Sequence, residues 1–191
     1  MRTANATDKG LVIDILTDSF QTNKSVNFII KQEGKRIERI RALMDYSFDI
    51  CFHYGRVFIS DDKTACALVL FPDQKKTTLR SILLDLKLVF KAIGISNIGK
   101  TLKRESLIKK IKPKKKIYYL WFIGVKTDLQ GKGIGTRLLK EILEDSNQRH
   151  RSVCLETSTL KNLPWYTQFG FQVYNELDLG YQLFFLKRDI Q

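Results

Sequence analysis

Apolar residues recur at steps of three and four in several stretches, and each stretch predicts a helix with one buried face. Between Lys35 and Tyr54 they are Ile37, Ile40, Leu43, Met44, Phe48, Cys51 and Phe52, with Gly55 as the stop. Leu11, Ile13, Ile15 and Leu16 predict an earlier helix that Thr7 or Asp8 can cap and that ends near Ser19, after a short strand within residues 1–6. Ile134, Leu138, Leu139, Ile142 and Leu143 mark a third helix, running to about Gln148. Residues 79–93 are rich in leucine and lysine at helical spacing, and residues 98–111 continue that pattern more weakly.

Strands are signalled by β-branched and aromatic runs between turn residues. Residues 57–59 and 65–71, joined by Asp61-Asp62-Lys63, predict a hairpin that Pro72 ends. The almost wholly apolar run at residues 117–125 predicts a central strand covered on both faces. Residues 153–157, 171–174 and 181–186 read as three further strands, and residues 165–169 as a short helix ended by Gly170. The order is mixed α/β, with one or two helices inserted at about residues 74–116, and it contains no internal repeat.

A chain of 191 residues, 43% hydrophobic and 28% charged, fits one globular domain with a substantial core. Its longest apolar run is far shorter than the roughly 20 residues that cross a bilayer, so no membrane span is predicted. Residues 1–10 are polar and lack the apolar core of a secretory signal, which leads to the expectation of a cytoplasmic protein. Cys51, Cys66 and Cys154 are odd in number and set among apolar neighbours, as buried reduced thiols would be. With no C-x-x-C and only His53 and His150, no metal site is expected.

The formal charge of +13 favours polyanionic partners, whether nucleic acid, an anionic membrane or a phosphorylated cofactor, and does not choose among them. A cluster at Lys109, Lys110, Lys112, Lys114, Lys115 and Lys116 carries much of the excess and reads most simply as a solvated loop.

The segment Gln130-Gly131-Lys132-Gly133-Ile134-Gly135-Thr136 lies between the strongest strand and a strong helix. Glycines there let a ligand approach the backbone, and the free N–H groups of the first helical turn form an anion site suited to a phosphate or pyrophosphate. The dinucleotide fingerprint would need glycine where Thr136 stands, and a P-loop would need Gly-Lys-Ser/Thr after four intervening residues, so neither motif fits.

Gln130-x-x-Gly133-x-Gly135 after an apolar strand resembles the acetyl-coenzyme A signature of the GNAT acetyltransferase superfamily. Tyr166-Thr167-Gln168-Phe169-Gly170-Phe171, after Glu156-Thr157-Ser158 and Asn162-Leu163-Pro164, is similar to the C-terminal pattern of the same superfamily. The combined run is most similar to puromycin N-acetyltransferase-like members, which share Leu155-Glu156-Thr157-Ser158 and a helical insertion before the cofactor strand. Thr127 departs from the superfamily, which often has proline there.

The resemblance implies a mixed, mostly antiparallel sheet flanked by helices and an activity that moves acetyl from acetyl-coenzyme A to a primary amine of a small molecule. It implies that backbone groups of Ile123, Gly124 and Val125 hold the pantetheine arm and thioester carbonyl. Gln130 and the backbone of Gly131, Lys132, Gly133, Ile134, Gly135 and Thr136 would cradle the pyrophosphate, with Lys132 and Arg137 adding charge. Asn162 would contact the cofactor near the thioester, and Tyr166 would protonate the departing thiolate. Glu156, at a strand end, is the candidate acceptor of the amine proton through water.

Plainer readings stand beside these: Tyr166 as a core aromatic, Glu156 as a strand-end carboxylate, Asn162 as a turn former, Asp128 as a turn residue and His150 as a capping cation. The partners implied are acetyl-coenzyme A and a small amine, with a homodimer left open and neither nucleic acid nor membrane expected. The competing functions are a protein or polyamine acetyltransferase and a non-catalytic acyl-coenzyme A-binding module.

Overall fold

The computed structural model describes residues 1–190. Its strands are β1 (Arg2–Thr3), β2 (Gly55–Ile59), β3 (Ala65–Leu70), β4 (Ile117–Val125), β5 (Ser152–Thr157), β6 (Gln172–Asp178) and β7 (Gln182–Arg188). Its helices are α1 (Lys9–Ser19), α2 (Lys24–Ile29), α3 (Arg36–Tyr54), α4 (Leu79–Leu88), α5 (Ile98–Ile111), α6 (Ile134–Gln148) and α7 (Leu163–Thr167). The strands form one sheet in the order β1-β2-β3-β4-β5-β7-β6, antiparallel throughout except for the parallel pair β4–β5.

The apolar run of β4 follows from its place, fourth of seven strands with helices over both faces. Ile117, Tyr119 and Phe122 join Val12, Leu16, Leu43, Met44 and other residues of α1 and α3 in one core. Tyr118 and Leu120 join Leu138, Leu139, Ile142 and Leu143 of α6 in the core on the opposite face. A bulge interrupts the alternation: Leu68 faces Phe122 while Val69 faces Leu120, so Trp121 is the extra residue. Downstream of it, Ile123 and Val125 pack toward α6.

Asp8 stands at the N-cap of α1 as expected, but its side chain makes no capping bond to that helix. A single 3₁₀ turn, Ala6–Asp8, precedes α1 and moves the cap upstream to Asn5, whose side chain accepts from the Thr7 N–H at 2.9 Å, while Asp8 accepts from the Asn5 N–H at 2.9 Å. The short α2, which periodicity could not reveal, is capped by Asn23 accepting from the Val26 N–H at 3.0 Å.

Residues 79–111 are helical as the leucine and lysine spacing predicts, with α4 continuing into a π-helical turn, Val89–Ile93, before Gly94 reverses the chain at φ 75°. Against the body, α4 turns Ser81, Leu84 and Leu88 inward, and its Asp85 accepts a hydrogen bond from the Tyr46 hydroxyl at 2.7 Å. Cys51, Cys66 and Cys154 are buried free thiols. Among the described residues no helix is long and apolar enough to cross a membrane.

Candidate active site

The central feature is a parting of two neighbouring strands. β4 pairs with β5 only from Ile117 to Tyr119, whereas it stays paired with β3 as far as Val125. From Leu120 onward the β5-facing edge of β4 is open, and a continuous cleft of about 1190 Å³ runs along it.

Which backbone groups face that cleft follows from strand alternation. The Lys126 N–H donates to the Thr64 carbonyl on the β3 side at 2.9 Å. The N–H and C=O groups of Val125 and Ile123 therefore turn the other way, into the cleft, and those of Gly124 turn toward β3. At Gly124 a Cβ would lie 2.9 Å from Leu16 Cδ2, so glycine also lets α1 press against the strand. The Val125 carbonyl accepts from the Gln130 amide at 3.2 Å and from the Ser19 hydroxyl, shared with the Ile15 carbonyl, at 2.8 Å. Gln130 thus fastens the glycine turn to the strand end.

In that turn Gly131 and Gly133 adopt φ values of 79° and 78°, in the left-handed region, and a Cβ on either would meet nothing within 4 Å. Gly133 is the N-cap of α6 and supplies no capping side chain, so the N–H groups of Ile134, Gly135 and Thr136 lack intrahelical acceptors. Open space in front of an uncapped helix start suits an anion. The Thr136 hydroxyl accepts from the Trp165 indole N–H at 3.0 Å, which ties α7 to this turn.

Gln130, Gly131, Gly133, Ile134, Gly135, Thr136, Ile123, Gly124, Val125, Asn162, Glu156 and Tyr166 all line the one cleft. Lys132 and Arg137 do not; both are exposed beside it.

Tyr166 is buried against Trp165 and Phe171, with ring centroids 4.7 and 5.5 Å away. Its hydroxyl has no hydrogen-bond partner among the described residues, and burial pushes its phenol above the ordinary value of 10.0. Glu156 is fastened on both oxygens: the Tyr119 hydroxyl donates to one, and Lys112 Nζ lies 3.4 Å from the other and 3.5 Å above the Tyr119 ring. Burial, followed by the Glu156 charge, pushes the Tyr119 phenol well up and keeps it a donor.

Beyond Ile123 the cleft continues as a chamber the sequence did not reveal. Tyr46 and Trp121 meet edge to face at 6.2 Å, and Leu43, Val26 and Phe122 add apolar wall. The residue range 74–116 contributes Ile93, Thr101, Arg104, Glu105, Ile108 and Lys112. Arg104 is 7% exposed and held by the Tyr181 hydroxyl at 3.1 Å, the Ser25 hydroxyl at 2.6 Å and the Glu105 carboxylate. The only signal for these residues in the sequence was the helical spacing around them, which gives a face and not a destination.

Comparison with known proteins agrees with this geometry. Residues 91–173, less than half of the chain, match the family model for the acetyltransferase (GNAT) domain. An acetyltransferase of Corynebacterium glutamicum, of the histone acetyltransferase HPA2 and related type, is similar in fold, with a TM-score of 0.72 at 16% identity over 100% of this chain and 95% of that one. Arylalkylamine N-acetyltransferase 2 from Aedes aegypti gives 0.63 at 18% identity over 100% and 98%. The C-terminal condensation domain of Ebony, solved with beta-alanyl-dopamine, gives 0.70 at 8% identity over 99% and 97%. Together with the sheet order and the parted strands, these matches show that the chain has the fold of GNAT acetyltransferases, with its match to the GNAT acetyltransferase domain at residues 91–173.

Proposed function

We propose that this enzyme moves acetyl from acetyl-coenzyme A to the primary amine of a small aromatic or apolar molecule, by direct attack within a ternary complex. The observation that carries the proposal is one cleft with two ends, an uncapped helix start at one and an aromatic chamber at the other, meeting at the open edge of β4. Acetyltransferases of this fold use acetyl-coenzyme A, and the open space at Gly131 and Gly133 fits its pyrophosphate.

Bound there, acetyl-coenzyme A supplies an activated thioester. The N–H groups of Ile134, Gly135 and Thr136 and the α6 dipole hold the phosphates, with Lys132 and Arg137 adding charge from the rim. The cleft-facing backbone of Ile123 and Val125 orients the pantetheine arm, and an N–H of this edge stabilises charge developing on the thioester oxygen. Asn162, on the cleft wall, would sit near the thioester of bound acetyl-coenzyme A. Tyr166, protonated and without a competing partner, donates to the departing thiolate. Glu156, held in place by Tyr119 and Lys112, receives the amine proton through water.

The aromatic walls favour a ring-bearing amine, and two proteins of similar fold support this: one is named for arylalkylamines and the other was solved with beta-alanyl-dopamine. The likeness of Leu155 to Ser158 to puromycin N-acetyltransferase-like members points to the same class of acceptor. Buried Arg104 and the chain's net charge of +13 disfavour a polyamine.

An amine panel assayed by release of free thiol tests the proposal, with arylalkylamines expected to turn over faster than polyamines or peptide N-termini. Inertness of every amine, with acetyl-coenzyme A still stabilising the fold, would leave a binding module in its place. Tyr166→Phe should lower kcat roughly 100-fold with little change in cofactor affinity, the ordinary worth of one general acid. The sign of the pH dependence follows from the raised phenol: the acid form persists to higher pH, so wild-type turnover should show no fall assignable to Tyr166 up to about pH 10.

A further inference from the structure

The helix α4 and its π turn are inside out. At about 100° per residue, Ser81, Leu84, Asp85 and Leu88 share the face that packs on the body. Leu79, Ile82, Leu83, Leu86 and Phe90 share the opposite face, where Leu79 is 83%, Leu83 66% and Phe90 63% exposed to solvent. Ile95, in the 3₁₀ turn that follows, and Leu102, in α5, are also exposed. Isolated exposed apolar residues are ordinary; a stripe of five on one helical face needs an explanation.

The stripe sits in the most basic segment of the chain, two of whose cations, Arg104 and Lys112, are committed to the cleft. Residues 74–116 hold fourteen lysines and arginines against two carboxylates, Asp85 and Glu105, a net +12 of the chain's +13. Arg80, Lys87 and Lys91 flank the stripe on its helical face, and Lys87 reaches down to Asp45 at 2.6 Å without leaving the surface. Apolar residues in a stripe bordered by lysine and arginine are the composition of a helix that lies in a lipid–water interface, its apolar face among acyl chains and its cations among anionic headgroups.

We propose that α4 docks this enzyme on an anionic lipid surface. Two other occupants fit the observations less well. A second copy would bring two segments of +12 together, a repulsion no acidic patch on the segment offsets. A nucleic acid would satisfy the lysines and leave five large apolar side chains against water or phosphate. The absence of a membrane span does not oppose docking, because a helix lying on the surface crosses nothing; the sequence pattern gave the amphipathic face but not that it points outward.

The test uses the full chain and sedimentation with vesicles of phosphatidylcholine alone or mixed with phosphatidylglycerol. Binding is expected to the mixed vesicles only and to weaken severalfold between roughly 0.1 and 0.5 M salt, as surface charge is screened. The double variant Leu83→Asp, Phe90→Asp should lower that binding at least tenfold while thiol release with a soluble amine stays at the wild-type rate, which also shows that it is folded. Arg80→Glu with Lys91→Glu should do the same through charge alone. Failure to bind anionic vesicles at low salt would overturn the proposal. So would vesicle binding untouched by the apolar double variant, or a wild-type dimer that this variant dissolves.

Discussion

Gly133→Glu is expected to lose acetyl-coenzyme A binding by at least 100-fold, about 3 kcal/mol, while the protein stays folded. The side chain would enter the open space before α6 and set a carboxylate where the pyrophosphate belongs, meeting the same uncapped N–H groups. The cost to folding is small by comparison. A non-glycine residue at φ 78° costs about 1–2 kcal/mol, and a carboxylate at a helix start returns roughly 0.3–1 kcal/mol. Thermal unfolding with and without acetyl-coenzyme A measures both quantities, since a ligand raises the melting temperature only if it binds. Gly133→Ala separates the causes, because it carries the same backbone cost without the charge and should keep affinity within about tenfold of wild type. A ligand-induced shift in Gly133→Glu equal to that of the parent would place the phosphates elsewhere.

Gly55→Ala should be the most destabilising single methyl in the fold. Gly55 begins β2 directly after α3, paired with Leu70, and a Cβ built on it would stand 2.0 Å from the Val69 carbonyl oxygen. Because the obstacle is backbone of the central hairpin, no side chain can swing away, and the β2–β3 register must shift. Overpacking of this kind costs about 3 kcal/mol or more. For a chain of this size that lowers Tm by roughly 6–12 °C. The substitution lies outside the cleft, so the surviving folded fraction should retain wild-type KM. A melting temperature within a degree of the parent would show that the α3–β2 junction is more yielding than this geometry indicates.

Much of this architecture was legible from residue order. The long helices were readable because burial on one face imposes a period, sustained in α3 and α6 for two turns or more, and β4 because burial on both faces makes it an almost unbroken apolar run. Where it is not, reading failed for definable reasons. Six-residue α2 is too short to show a repeat, and Asn5 could not be recognised as a cap because a 3₁₀ turn intervenes before α1. Strand β6 is mostly exposed and alternates weakly, which is why its span, Gln172–Asp178, exceeds the stretch the sequence suggested.

The site divides in the same way. The glycine turn and Tyr166 were accessible because backbone freedom and a short motif restrict which residues can stand there. The chamber was not, because Tyr46, Trp121 and Arg104 come from three elements far apart in the chain and meet only through the tertiary fold. Residue order marks Trp121 as one of nine consecutive strand residues; the bulge that turns it toward the chamber belongs to the pairing with β3.

The segment between β3 and β4 is two-faced, with Thr101, Arg104 and Ile108 on the wall of the chamber and Leu79, Leu83 and Phe90 in solvent. Substitutions can therefore accumulate on either side independently. Changes on the inner side reshape the chamber, changes on the outer side alter the exposed apolar face, and a chimera exchanging the whole segment would alter both at once.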